Sequence, residues 1–192
     1  VLPQLVDDEF VQTVLAIKSF DLGGYFVFAT KGGLVKRTAI AEDGNINNAG
    51  LVAINLVDGD EPVAVRVTDG TAEDVLGTRG GQAIRFEEKG ARETGRATQG
   101  VIGIRLKKGD EVVSLAVVPE AEKDSAQLLS VTESGLGKRT PLKEFPVQNR
   151  GGQGVIGHRL TERTGAMVSL NKVLGSEELF VLAEGSQLIR TA

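Results

Sequence analysis

The sequence predicts an all-β chain of stacked, four-stranded blades, and three observations carry that reading. One segment recurs about every fifty residues, the apolar stretches are short and rich in Val, Ile and Leu between turn glycines, and no stretch holds a convincing helical period. At 192 residues and 41% hydrophobic composition, the chain has enough apolar side chains for a real core, in one domain or two small ones.

The recurring segment reads as a hairpin: FVFATKGGLVKRT, DVLGTRGGQAIRF, LLSVTESGLGKRT and LFVLAEGSQLIRT. With Gly33, Gly81, Gly135 and Ser186 as equivalent anchors, successive copies lie 48, 54 and 51 residues apart. Glycine is expected at these turns because it reaches positive φ without steric cost. Four positions past each anchor stands Arg37, Arg85, Arg139 or Arg190, with Lys36 and Lys138 beside two of them. A second block follows in three copies, GLVAINL from Gly50, GVIGIRL from Gly100 and GVIGHRL from Gly154. A third strand is expected after Gly59-Asp60, in PVAVRV, and after Gly109-Asp110, in EVVSLAVV; the third copy has Arg163-Thr164-Gly165 at that turn. About four strands per repeat matches a propeller blade, which buries its apolar face on the next blade. Residues 25–73, 74–126 and 127–177 are thus three blades. EFVQTVLAIKSF, within 1–24, resembles the last strand of a preceding blade, and 178–192 the first hairpin of a further one. A closed ring and an open crescent are both compatible with this pattern.

Several function classes fall away on composition. With no cysteine there is no disulfide framework and no thiolate metal site. The solitary His158 occupies the place of Ile54 and Ile104 in the sister blocks, so it is expected on a strand facing the interior, and Met167 is expected in the core. Ser130, Thr140 and Ser169 have no base that the sequence assigns to them, so no catalytic constellation is expected. The glycine-rich runs do not sit between a strand and a helix, which argues against a phosphate-cradling nucleotide loop. No apolar run approaches the roughly 18 residues of a membrane span and no charged-then-apolar leader is present, so no membrane partner is expected. Val1 opens the chain partway through a structural unit, which points to a piece of a longer protein.

One glycine cluster differs from the turn glycines: Gln148-Asn149-Arg150-Gly151-Gly152-Gln153-Gly154. It resembles the seven-residue box of the DNA gyrase A C-terminal domain family, whose pattern is Gln, two basic residues, two Gly, Lys, Gly. Gln148, Gly151, Gly152 and Gly154 keep the frame and Arg150 keeps one cation, whereas Asn149 and Gln153 depart from it. The blocks GLVAINLVDGDEPV, GRATQGVIGIRLKKGDEVVSL and GLGKRTPLKEFPVQNRGGQGV extend the resemblance over essentially the full chain. The paralogous topoisomerase IV protein is similar as well. The resemblance implies a β-pinwheel, with strands exchanged between neighbouring blades and duplex DNA running around a basic outer rim. It further implies, as partners, the remainder of gyrase A together with gyrase B, and a cytoplasmic, nucleoid-associated setting. No cofactor is implied in this stretch, because the ATP and Mg of the parent enzyme are bound elsewhere.

The candidate DNA contacts follow from repeat register and the box-like loop: Lys36, Arg37, Arg85, Arg96, Lys138, Arg139, Arg150 and Arg190. Arg92, Arg105, Lys107 and Lys108 are additional candidates, although Lys107-Lys108 reads more readily as an ordinary charged hairpin tip. Cations at a fixed period suit backbone binding, which needs phosphate contacts more than base contacts. The net charge of −4 runs against a generic nucleic-acid binder and requires the charges to be segregated. Asp58-Gly59-Asp60-Glu61, Glu73-Asp74 and Gly109-Asp110-Glu111 are accordingly expected away from the arginines, as Asp7-Asp8-Glu9 is. With no Trp, one Tyr (Tyr25) and Phe26, Phe28 and Phe180 expected as core, a base-stacking platform is missing and a duplex is favoured over a single strand. The competing reading is a propeller-like scaffold that holds a protein partner.

Overall fold

The computed structural model describes residues 9–17, 19–44, 50–183 and 187–191; the anchor Ser186 and the acidic Asp7 and Asp8 lie outside them. Thirteen short strands form among the described residues, joined by turns and single 3-10 turns, with no α-helix. The first repeat supplies β1 (Tyr25–Thr30), β2 (Leu34–Ala39) and β3 (Pro62–Thr68), and the second supplies β4 (Glu73–Thr78), β5 (Gln82–Glu87), β6 (Val101–Ile102) and β7 (Val112–Val118). The third supplies β8 (Gln127–Thr132), β9 (Gly137–Pro141), β10 (Val155–Ile156) and β11 (Met167–Val173); β12 (Leu179–Ala183) and β13 (Gln187–Thr191) form a terminal hairpin.

The sheets do not follow the repeat boundaries. Their strand orders are β3-β1-β2-β6, β10-β5-β4-β7, β11-β8-β9 and β12-β13, every named pairing being antiparallel. The outermost strand of the first sheet therefore comes from the second repeat, and that of the second sheet from the third repeat. Backbone clearance makes this exchange possible. A Cβ on Gly100 would stand 2.4 Å from the Val35 carbonyl oxygen, and one on Gly154 2.3 Å from that of Ala83. Each visiting strand then docks on the hairpin glycine of its host. Gly103 and Ile104 donate their N–H groups to the Gly33 carbonyl at 2.8 and 3.2 Å, and Gly157 and His158 donate to that of Gly81 at 2.9 and 3.1 Å.

Two expected strands are absent. Residues 50–56 form no strand, although Asn55 bonds through its N–H to the Thr98 carbonyl and through Nδ2 to that of Ala97, both at 3.0 Å. Residues 9–17 likewise add no strand to β3, which remains the edge of its sheet.

The core lies between blades. Val27, Ala29 and Val35 of the first repeat meet Leu76, Ile84, Phe86, Ile104 and Leu115 of the second, and a second cluster joins Val75, Ala83 and Ala116 to Leu128, Leu142, Phe145, Met167 and Leu170 of the third. Apolar burial between repeats is what holds such an array together, since no blade covers its own face. The Gly-Asp turns contribute locks: Asp60 accepts from the Gly32 N–H at 2.6 Å and Asp110 from the Gly80 N–H at 2.7 Å. In the third copy Glu133 accepts from the Ala166 N–H at 2.9 Å and pairs with Arg79. Phe28 and Met167 are buried as expected and Phe26 is half-buried. Phe180 is 57% exposed, contrary to expectation, with its ring under the Arg190 guanidinium. Among the described residues no helix is long and apolar enough to cross a membrane, and no His, Cys, Asp and Glu group could hold a metal ion.

Candidate nucleic-acid interface

Two of the four register-specific arginines, Arg37 and Arg85, sit inside the joints between repeats. The Arg85 side chain is 11% exposed; its Nε reaches Glu73 Oε2 at 2.6 Å and its Nη1 reaches the carbonyls of Leu142 and Phe145 at 3.1 and 2.9 Å. One guanidinium thus pairs with a carboxylate in its own blade and caps the 3-10 turn Leu142–Glu144 of the next. Arg37, also 11% exposed, lies 4.5 Å over the Tyr25 ring, with Nη1 3.9 Å from Glu88 Oε1 in the second repeat. Glu73 also pairs with Lys123 at 3.2 Å. The expected separation of Glu73-Asp74 from the arginines is corrected here. A guanidinium that must leave water is stabilised by a carboxylate and carbonyls placed around it, so the acids come to it.

Lys36 is buried as well, and its Nζ bonds to the carbonyls of Ala53 and Arg96. Burial pulls its ammonium down to about 8, against the upward pull of Asp43. Arg96 is half-buried beside it. Lys138 and Arg139 occupy the same two positions in the third repeat and are exposed, because β9 carries no visiting strand among the described residues. Arg190 is exposed and paired with Glu178.

The box-like loop is a clasp onto the second repeat. Arg150 donates from Nε to the Gly90 carbonyl at 2.6 Å and from Nη1 to that of Ile102 at 3.0 Å. The Gly151 N–H bonds to the Gly103 carbonyl at 2.6 Å, and the Gln148 N–H to that of Arg85 at 2.8 Å. Its glycines serve this approach, with Gly151 at φ 77° and Gly154 at φ 72°. Asn149 and Gln153 are exposed, so the loop's solvent-facing polar side chains are uncharged.

Further exposed cations follow the visiting strands. Arg105, Lys107, Lys108 and Arg159 are exposed, and among the described residues none of them forms an ion pair. Arg105 and Arg159 each follow a visiting strand at the same place in GVIGIRL and GVIGHRL, immediately after the buried Ile104 and His158. The Arg105 N–H also donates to the Gly152 carbonyl at 2.8 Å, which sets this residue against the box-like loop. Arg159 was not among the expected contacts. Its signal was in the sequence, where two copies of the second block repeat an arginine as regularly as the hairpins do.

A buried Ser and His meet in the third repeat, which the sequence could not pair. Ser130 Oγ lies 2.8 Å from His158 Nδ1. His158 faces the interior as expected, and burial, aided by Lys138, holds its imidazole below the ordinary 6.5.

Residues 24–69, 75–119 and 126–173 match the family described as DNA gyrase C-terminal domain, beta-propeller. The chain is 52% identical over 192 residues to the DNA gyrase A protein of Deinococcus deserti, covering 99% of this chain and 24% of that protein. It is 42% identical over 188 residues to the DNA gyrase A protein of Staphylococcus epidermidis, covering 97% and 21% respectively. The chain therefore spans about a quarter of the length of these relatives. Among solved structures, the C-terminal domain of DNA topoisomerase IV aligns with a TM-score of 0.88 at 28% identity, over 97% of this chain and 58% of that one. The DNA gyrase A C-terminal domain aligns at 0.84 and 27%, over 97% and 61%.

Proposed function

The chain belongs to the DNA gyrase C-terminal domain family, and on that footing we propose that it grips the phosphate backbone of duplex DNA along the seams between its repeats and bends it. The carrying observation is the recurrence of Arg105 and Arg159, exposed and without an ion pair among the described residues, just past consecutive visiting strands, while Lys36, Arg37, Arg85 and Arg150 are engaged inside the joints. Lys107, Lys108, Lys138 and Arg139 add cations on the same repeats, and Arg190 adds a paired one on the terminal hairpin. Fixed cations serve this role because each phosphate they neutralise releases counterions to solvent. Screening within roughly 8 Å at physiological salt lets such a row act locally despite a net charge of −4. Bending a 20–30 bp site costs on the order of 1–6 kcal/mol, so several contacts must act together.

In this reading the chain is the non-catalytic, DNA-wrapping part of gyrase A and supports ATP-dependent negative supercoiling. Strand cleavage, ATP and Mg belong to the rest of gyrase A and to gyrase B, in the cytoplasm. Anisotropy titration of a linear duplex at several salt concentrations tests it. Replacing Arg105 and Arg159 with Ala should lower affinity and reduce the salt slope by about 0.9 per lost contact. A folded double variant with an unchanged slope overturns the assignment, and absent or salt-insensitive binding by the parent chain favours a protein-interaction scaffold.

A further inference from the structure

The second repeat breaks a pattern that its neighbours keep. At two equivalent positions, the second residue of the first hairpin strand and the first residue of the following 3-10 turn, the first repeat has Phe26 and Ile40 and the third has Leu128 and Leu142. Leu128 and Leu142 belong to one core cluster, each 1% exposed. The second repeat has Asp74 and Glu88 in those places, and both are fully buried.

Their surroundings do not supply what two carboxylates need. Among the described residues neither oxygen of Asp74 has a hydrogen-bond partner, nor has Glu88 Oε2. Glu88 Oε1 accepts from Thr68 Oγ1 at 2.6 Å and lies 3.9 Å from Arg37 Nη1. Arg37 Nε and Thr38 Oγ1 are also buried and have no hydrogen-bond partner among the described residues. The charged groups acting on this pair are Arg37 from β2 and Asp69 from the segment after β3. One guanidinium faces two buried acids, with a third acid nearby. Ionising both would leave an uncompensated charge in a joint shielded from solvent, the costliest arrangement available to them.

We propose that Asp74 and Glu88 form a proton-held seam between the first and second repeats, which is closed while the pair retains a proton and loosens when both carboxylates ionise. Burial drives both carboxyls upward, and each is pulled partly back by Arg37. The folded chain binds protons here that the unfolded chain has released, so the contribution is full at low pH and is lost as pH rises through the folded values. The seam runs beside Arg37 and joins the sheet that hosts β6, three residues before Arg105, so its loosening alters how successive cations present themselves to a duplex. That last consequence rests on the proposed DNA role; the seam itself does not.

Asp74→Leu with Glu88→Leu restores the pair found in the third repeat and is the variant expected to fold. In the full chain, thermal unfolding followed upward from about pH 4 should show the parent losing stability relative to this variant as pH rises from the ordinary carboxyl values toward the folded ones. A side-chain carboxyl NMR titration should find a carboxyl at this site that ionises above the ordinary carboxylate range. Asp74→Asn with Glu88→Gln, which removes the titration while keeping polarity, should flatten the pH response likewise. A parent and Leu variant with parallel pH profiles, or carboxyl signals showing both groups ionising in the ordinary carboxylate range, would overturn the seam. A pH-dependent bend angle of a duplex, read by end-to-end energy transfer, should disappear in the Leu variant. If that bend angle is pH-independent in the parent while the stability difference persists, the seam stands and its coupling to DNA is overturned.

Discussion

Arg85 illustrates how one side chain can carry two jobs that look alike in a sequence. A guanidinium repeated in register suggests a surface row, yet the same register places it where a carboxylate of its own blade and two carbonyls of the next blade converge. Arg85→Ala should therefore leave Glu73 buried with a lost partner and cost about 3–5 kcal/mol, measured by denaturant unfolding, with little change in the salt slope of DNA binding. His158 makes the opposite kind of statement. Its folded form is held neutral, so its contribution is present above the ordinary 6.5 and is lost as pH falls through the lower folded value. His158→Ile, which copies Ile104, should narrow the loss of thermal stability between about pH 7 and 5 relative to the parent. An equal loss in both proteins would remove His158 from the acid response.

The visiting strands β6 and β10 are only two residues long, and their two ladder positions cannot hold them alone. They are held by what flanks them: a glycine pressed against the host strand on one side and paired N–H groups on the hairpin carbonyl on the other. Gly154→Ala introduces a Cβ 2.3 Å from the Ala83 oxygen at a φ of 72°, so strain and clash act together. The expected loss is at least about 1–3 kcal/mol, read as earlier urea unfolding and faster amide exchange at Val155 and Ile156. Gly109→Ala meets nothing within 4 Å at a φ of 78° and incurs the backbone strain without the clash, so it should cost less. Equal losses in the two variants would show that close approach does not govern the exchange.

Across the molecule, the second and third repeats each lend a strand backward, and the second shares a core with both neighbours, so loosening one seam should be felt first by the repeats on either side of it. If duplex DNA follows the row of seam cations, Lys107 and Lys108 replaced together with Ala should weaken binding to all sequences alike, because phosphate contacts carry no base information. Competition titrations against unrelated duplexes check that. The all-β class, the period near fifty and the hairpin glycines were legible along the chain, because turn chemistry and β-strand composition are local properties. The box-like loop was legible as a pattern for the same reason. Which cations face water was not, because it depends on neighbours some fifty residues away. Arg37 and Arg139 share a sequence context, and one is enclosed by the next repeat while the other is exposed. Local backbone preference writes the blade, but the burial of a charge is settled only when another blade closes over it and supplies, or withholds, the groups that replace water.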